Sequence, residues 1–338
     1  MTTSDHASGA VFAIPMRTRF RRITVREGMV IEGPAGWGGF CPFVEYDDVE
    51  AAGWLATALE QSTVGWPEPR RDRVPVNCTV PATDPDHAHR IVTASGARTA
   101  KVKVAEKGQT PADDLARVEA VRDALGPDGH LRVDANGGWD VEGALAAIRA
   151  IARAAQGLEY VEQPVASVEE MAALRRRVEV PIAADESIRR AADPLRVARA
   201  EAADIAVLKV APLGGVRAAL RIAEAIGLPC VVSSAVESSV GLAAGLALAG
   251  ALPALPYACG LGTTSLLAAD VVTDGLVPVD GFLPVPRRAP APDPDLLVHH
   301  AASADRRRWW HERLHRVQAL TDAHPEPDDE VRAGHPHR

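Results

Sequence analysis

Thr99-Ala100-Lys101-Val102-Lys103-Val104, the helical pattern Pro111–Leu125 and then Leu131-Arg132-Val133-Asp134-Ala135-Asn136 form the stretch in which the architecture is most legible. A short apolar run, a helix and a second apolar run argue for parallel strands joined by helical crossovers. The rhythm extends both ways. Upstream, Val76–Val80 precedes the helical pattern Thr83–Ser95. Downstream, Val141–Ala155 follows the Asp134 run, and then come Tyr160–Glu162 with Val168–Val178 and Ile182–Asp185 with Ala191–Ala200. Ile205–Val210 with Val216–Ile226, Cys230–Ser234 with Val240–Leu252 and an eighth run, Leu255–Leu261, complete the series. Eight such runs suit a compact α/β barrel, whose usual size is about 250 residues. An open doubly wound sheet is the alternative, but no G-x-G-x-x-G follows the first run, so a dinucleotide site has no support.

The flanks read differently. Before the repeat, Arg19–Ile31 alternates in places and is followed by a Gly33-Pro34 turn, the glycine-rich Gly36-Trp37-Gly38-Gly39 and a helical pattern from Asp48 to Glu60; Pro67 to Arg73 reads as a linker. After the repeat, Pro284 to Pro294 is expected to be extended, and Asp305–Leu320 to be a helix with Trp309, Leu314 and Val317 on one side. His324–Arg338 is polar and is expected to be disordered, so His311, His315, His324, His335 and His337 read as solvated groups rather than a metal site.

The 338 residues are 47% hydrophobic and 24% charged, with a net charge of -8. No basic stretch covers a face, which argues against nucleic acid. Val240 to Leu255 is the longest apolar run, and Gly and Pro break it short of the ~20 residues that span a bilayer, so a buried helix is expected and no membrane insertion. Met1 to Ala10 lacks the basic and apolar regions of a signal peptide. Cys41, Cys78, Cys230 and Cys259 form no C-x-x-C pair and read as reduced, buried thiols of a cytoplasmic protein. The sequence does not fix an oligomeric state; a monomer is compatible with it.

Charged residues interrupt the apolar runs at particular places. Lys101 and Lys103 lie two apart and so share one face of a strand. Asp134, Glu162 and Asp185 close the next three runs, and Lys209 stands near the end of the sixth. Each has an ordinary reading by itself: a solvated edge, a turn or a helix cap. Together, on the C-terminal ends of consecutive barrel strands, they converge on the face where barrel active sites lie. Three carboxylates ending buried strands are costly without a partner, and a divalent cation between them answers that cost. Oxygen ligands with positions open for water and substrate suit Mg2+, with Mn2+ as a substitute; no Cys/His set is present for zinc. A lysine acting as a base near neutral pH must be partly neutral, which neighbouring positive charge and desolvation favour.

The set Lys101-Val102-Lys103, Val133-Asp134-Ala135-Asn136, Val161-Glu162-Gln163-Pro164, Ala184-Asp185-Glu186-Ser187 and Leu208-Lys209 resembles the muconate-lactonising branch of the enolase superfamily, over most of the chain. The resemblance implies a modified (β/α)7β TIM-type barrel with an α+β capping domain. It divides the chain into 1–73 as the N-terminal part of the cap, 74–280 as the barrel with the active site, 281–322 as a segment packing back toward both, and 323–338 as a disordered tail. It implies that Asp134, Glu162 and Asp185 ligate one Mg2+, with Asn136 and Glu186 behind them. It also implies that Lys103 and Lys209 face each other across a small carboxylate substrate, with Lys101 beside them. A lysine base with Mg2+ is the general superfamily arrangement.

Val232-Ser233-Ser234-Ala235-Val236-Glu237-Ser238-Ser239-Val240-Gly241-Leu242, Leu131-Arg132-Val133-Asp134 and Val74-Pro75-Val76-Asn77 are similar to segments of the o-succinylbenzoate synthases within that superfamily. This narrower resemblance implies a dehydration in menaquinone biosynthesis, with Lys103 as base and Lys209 stabilising the enediolate. Arg132, Ser233, Ser234 and Gly262 are the expected substrate contacts, and Gly214-Gly215 reads as a turn. Gly39 departs from the Gly-Trp-Gly-Glu that the family often carries; the missing carboxylate is expected to have been a packing group. An N-acylamino acid racemase or dipeptide epimerase on the same scaffold is the alternative. Dipeptide epimerases carry an Asp-x-Asp near the eighth strand, where this chain reads Ala258-Cys259-Gly260-Leu261-Gly262-Thr263. A non-catalytic barrel that binds a metal or partner is a further alternative, against which the full set of ionisable positions counts.

Overall fold

The computed structural model describes residues 9–323 apart from Arg22, Ala191 and Ala192. The expected disordered tail lies outside the described residues, except that Ala323 ends the last helix.

The chain begins with β1 (Gly9–Phe20), β2 (Ile23–Gly33) and β3 (Gly36–Phe40), an antiparallel sheet in that order. Reading the first strand from Arg19 is corrected: Gly9 already pairs with Ile31, and the register runs evenly to Pro15 opposite Val25 before it shifts. The glycine-rich run is also a strand, since Trp37 to Phe40 pair with Glu32 to Met29. Helix α1 (Asp48–Leu59) starts where Asp47 accepts from Glu50 N at 2.8 Å, an N-cap that satisfies an otherwise unpaired amide.

Next, β4 (Arg73–Pro75) leads into seven parallel strands: β5 (Cys78–Val80), β6 (Thr99–Lys103), β7 (His130–Asp134), β8 (Val161–Glu162), β9 (Ile182–Ala184), β10 (Ile205–Leu208) and β11 (Cys230–Val232). The crossovers are α2 (Pro85–Ser95), α3 (Pro111–Leu125), α4 (Val141–Ala154), α5 (Val168–Arg175), the short α6 (Glu186–Arg189) and α7 (Arg196–Arg199), then α8 (Val216–Ile226) and α9 (Ser239–Ala251). The first four start at clear signals: Asp84, Thr110, Asp140 and Ser167 cap them, Pro85 and Pro111 fill first-turn positions, and Thr110 and Ser167 close capping boxes with Asp113 and Glu170. The helix expected over Ala191–Ala200 is the single turn of α7 within its described part.

The seven strands close through Cys259 and Gly260. Cys259 N donates to Pro75 O at 2.7 Å and Asn77 N to Cys259 O at 2.9 Å; across the gap, Gly260 N donates to Val232 O at 2.8 Å and Ser234 N to Gly260 O at 3.0 Å. The eighth run thus acts as a strand of two residues, and a 3-10 turn over Gly262–Leu266 follows it instead of an eighth helix. This is a (β/α)7β barrel. Its interior is filled by Tyr160, Ala183, Ile205, Val207 and Val231, and a larger apolar layer lies between strands and helices. As expected, α9 is buried on every side.

After the barrel, β12 (Phe282–Pro284) pairs antiparallel with β4, and α10 (Pro294–His299) leads to α11 (Ala304–Ala323). The last helix packs on α1 through Trp310, Leu314 and Val317; Trp309, expected on that face, is half-buried beside them. Arg313 donates to Phe43 O and Tyr46 O at 3.1 and 2.6 Å, and Trp310 Nε1 to Glu27 Oε2 at 2.9 Å. The same apolar cluster continues into the barrel through Val236, Val240 and Ala243, so the antiparallel sheet and α9 share one core.

Candidate active site

The parallel register sets the charged groups side by side. Lys103 pairs with Asp134 and Asp134 with Glu162, while Asp185 follows the last residue of β9 and Lys209 the last of β10. None of Lys101, Lys103, Asp134, Glu162, Asp185 and Lys209 is more than 8% exposed. Charges this dry must be paired. Lys103 Nζ lies 2.7 Å from Asp134 Oδ2, Lys101 Nζ lies 2.9 Å from Glu162 Oε1 and 3.3 Å from Asp134 Oδ2, and Lys209 Nζ lies 2.5 Å from Asp185 Oδ2. Asp185 Oδ1 accepts from Arg189 Nε at 2.9 Å.

These neighbours push the groups apart in acidity. Burial raises the Glu162 carboxyl to about 7; Lys101 opposes this, and Asp134 and Asp185 add to it. Burial also disfavours the Asp134 carboxylate, but Lys103 and Lys101 outweigh it and hold its pKa below the ordinary range. Burial acts the same way on Asp185, which Arg189 and Lys209 bring down to about 2. Burial lowers the pKa of Lys209, with Asp185 opposing. For Lys101 burial is outweighed by Glu162 and Asp134, and its pKa is raised. Among the described residues, no three His, Cys, Asp and Glu groups meet closely enough to share one ion. The ammonium of Lys101 lies between Asp134 and Glu162 instead, and Asp185 is turned to Lys209 and Arg189.

Around this ring stand the supporting groups. Asn136 accepts from Lys103 Nζ and donates from Nδ2 to Glu186 Oε1 at 3.2 Å, and Glu186 accepts from Arg189. Arg189 also donates to Tyr46 Oη at 2.8 Å, which ties the ring to the segment before α1. Gln163 is buried; its Oε1 accepts from the amides of Asp185 and Ser187 at 3.1 Å and fixes the end of β9.

Lys101, Lys103, Asp134, Asn136, Lys209, Ser233 and Ser234 line one inner cavity of about 30 Å3. Phe20, Arg21, Lys103 and Asn136 also line an adjoining outer cavity of about 370 Å3, to which Arg19 and Lys107 add positive charge. Phe20 sits over Lys103, whose Nζ is 5.5 Å from the ring centroid. Two expected contacts fall elsewhere. Arg132 is fully buried and lines neither cavity; its guanidinium is committed to Glu159, to Tyr160 Oη and to Ala258 O, the last two at 2.8 Å. It points inward like Asp134 but two residues lower, where the barrel is filled. Gly262 lines a separate, mostly apolar cavity beside α2, while Gly260 and Thr263 occupy the rim. Sequence reading also passed over Phe20, Arg21, Thr79, Arg189, Ala235 and Val236. Arg189 alone had a local signal, four residues after Asp185 on one helical face.

Two family descriptions match the chain: "Enolase C-terminal domain-like" over residues 84–290 and "Enolase N-terminal domain-like" over residues 11–62. The o-succinylbenzoate synthase of Thermobifida fusca is 67% identical over 280 residues, which is 83% of this chain and 88% of that relative. The chain belongs to the o-succinylbenzoate synthase family of the enolase superfamily. A second o-succinylbenzoate synthase, from Mycolicibacterium smegmatis, is 57% identical over 311 residues, 92% of this chain and 95% of that one. Solved structures share the fold at lower identity. The L-Ala-D/L-Glu epimerase of Bacillus subtilis has a TM-score of 0.72 at 23% identity, covering 84% of this chain and 96% of that one. Muconate cycloisomerase of Pseudomonas fluorescens has a TM-score of 0.73 at 23% identity, covering 88% and 98%. The epimerase and the cycloisomerase are likenesses of fold alone. The o-succinylbenzoate synthase family membership makes the chain an enzyme of the hydro-lyase kind.

Proposed function

We propose that the chain removes water from 2-succinyl-6-hydroxy-2,4-cyclohexadiene-1-carboxylate to give 2-succinylbenzoate, a step of menaquinone biosynthesis in the cytoplasm, with Lys103 as the base. The single observation that carries this reading is the placement of Lys103 and Lys209 at the ends of β6 and β10, flanking three strands that each end in a carboxylate. Neutral Lys103 Nζ takes the proton from the ring carbon bearing the carboxylate. The electron pair moves into the carboxylate to form an enediolate, and the Lys209 ammonium stabilises it from the opposite face. The enediolate collapses, the carbon–oxygen bond to the ring hydroxyl breaks, and Lys103 returns its proton to the departing hydroxide. Water leaves, the ring is aromatic and Lys103 is neutral again.

Asp134, Glu162 and Asp185 are the residues that would hold Mg2+, with Mn2+ as the substitute. The donor set is all oxygen, as a hard cation prefers. Asp134 and Glu162 both meet Lys101 Nζ, which supports the reading that these carboxylates are arranged around positive charge, and a cation there would offset the burial that raises Glu162. When bound, Mg2+ supplies charge that lowers the cost of ionising the carbon next to the substrate carboxylate. In this reading residues 1–73 are the N-terminal part of the cap, residues 74–280 the barrel and residues 281–322 a segment packing back toward both, and Phe20 and Arg21 bring the cap to the reacting groups. Ser233 and Ser234 remain as substrate contacts.

Purified protein tests this by loss of the diene absorbance with Mg2+ and after EDTA. Turnover of about 1–10³ s⁻¹ with Mg2+ and its loss with EDTA are expected. A folded, Mg2+-loaded protein that leaves the diene untouched overturns the reading.

A further inference from the structure

One arrangement outside the ring of carboxylates and lysines ties the antiparallel sheet to the wall of the inner cavity. The turn Ser234–Ser238 leaves β11, contributes Ala235 and Val236 to that wall, and enters α9. Val236 is a buried, β-branched residue at φ +63, where its Cβ crowds the backbone and which an unrestrained turn would abandon. Two side chains hold the amides of the turn: Ser234 Oγ accepts from Val236 N at 3.2 Å and Glu237 Oε2 from Ala235 N at 2.8 Å. The carbonyls are held by Arg26 of β2, itself buried. Its Nε donates to Val236 O at 3.0 Å and its Nη2 to Ala235 O at 3.4 Å. The remaining donors reach Glu27 O at 2.9 Å and Cys41 O, and the guanidinium lies 4.4 Å over the Phe43 ring, so the fork cannot swing away. Several acceptors in fixed directions are a task for a planar guanidinium and not for an ammonium.

We propose that Arg26 is a positioning residue for the reaction: it fixes the Ala235-Val236 turn in its left-handed form and so sets the wall that the substrate meets. The proposal rests on the site reading above. It differs from general attachment of the sheet to the barrel, because the carbonyls that Arg26 binds there are those of the two cavity-lining residues of the turn.

The test compares Arg26→Met, Arg26→Lys and Arg26→Met combined with Val236→Gly, by steady-state kinetics and by hydrogen exchange over residues 233–238. For Arg26→Met, a KM increase of about 10-fold to 10²-fold is expected with kcat changed less, since a displaced wall costs binding and alignment. Exchange over 233–238 should rise while residues 99–134 keep their protection. Glycine accepts φ +63 without restraint, so adding Val236→Gly should recover part of the lost kcat/KM. Arg26→Lys should fall between wild type and Arg26→Met. An unchanged KM, or a loss of melting temperature with no KM change and no gain from Val236→Gly, overturns the proposal. Should Arg26→Met fail to fold, Arg26→Lys decides by the same two readouts: unaltered KM and exchange overturn the proposal, and a raised KM with faster exchange over 233–238 supports it. If the wild type itself does not turn over the diene, the site reading fails, while the exchange comparison still decides whether Arg26 holds the turn.

Discussion

Lys103 and Lys209 both place a buried Nζ against a carboxylate, yet their proposed tasks respond differently to substitution. A base must give up a proton, and an arginine cannot do so in a protein, whereas an electrostatic partner needs only its charge. Both Lys103→Ala and Lys209→Ala should therefore abolish measurable turnover with folding intact, the first by at least the ~10²–10⁴-fold that a general base contributes. Lys103→Arg should be as inactive as Lys103→Ala. Lys209→Arg should keep a measurable part of the rate, because a cation remains beside Asp185. Steady-state rates with circular dichroism as the folding control check this; full turnover in either alanine variant would falsify the two-lysine mechanism. Lys101 is placed differently. It bridges Glu162 and Asp134, and these carboxylates outweigh its burial, which suits a fixed charge rather than a proton carrier.

At the scale of elements, Gly39 shows how a change in the cap is absorbed. A Cβ at Gly39 would stand 2.8 Å from Gly241 Cα and 3.0 Å from Gly241 N, so β3 lies directly on the first turn of α9. Gln61 seals the same contact, donating to Val240 O at 2.5 Å. The space a side chain would need at this position is occupied by helix backbone. Gly39→Glu should force β3 and α9 apart and destabilise the protein by about 1–3 kcal/mol, the usual cost of overpacking. Thermal denaturation checks it, and an unchanged melting temperature contradicts so close a contact. Elements also mark what the sequence could and could not disclose. The ends of β6 through β10 were readable because a charge ending an apolar run is a local signal, and five such signals in order reinforce one another. The first strand was not, because Val11 to Ile14 is a continuous apolar run that Pro15 interrupts, and its partner strand sets its length. Phe20, Val236 and Gly260 were invisible as site residues, since nothing local distinguishes them; only closure of the barrel and docking of the hairpin bring them to Lys103. Arg132 was misplaced for a related reason. Alternation gives the face of a strand but not the depth, and two residues are enough to separate the filled interior from the mouth.

For the whole molecule, the question is how a chain of net charge -8 holds an anionic substrate. Long-range attraction is unavailable, so the local field must decide: Arg19, Arg21 and Lys107 outnumber Glu106 at the outer cavity, and the lysines with Arg189 outnumber Asp134 at the inner one. The same economy applies to the proposed cation. Three carboxylates from three strands, each held by a barrel that closes only when all strands pair, exist together only in the folded chain. An ion bound by all three therefore binds the native state and not the unfolded one, and must stabilise it by mass action, about 2.7 kcal/mol when free ion is a hundredfold above its dissociation constant. Mg2+ should raise the melting temperature by several degrees, and EDTA should reverse the rise. Asp134→Asn, Glu162→Gln and Asp185→Asn should each remove most of this shift. Lys103→Ala should preserve it, because that substitution removes the Nζ that competes for Asp134 Oδ2. Differential scanning calorimetry across a Mg2+ titration measures all of this without any catalytic readout. A shift that survives all three carboxylate substitutions places the ion elsewhere on the protein, and a shift lost only with Lys103→Ala makes the lysine, not the carboxylates, the group that organises the site.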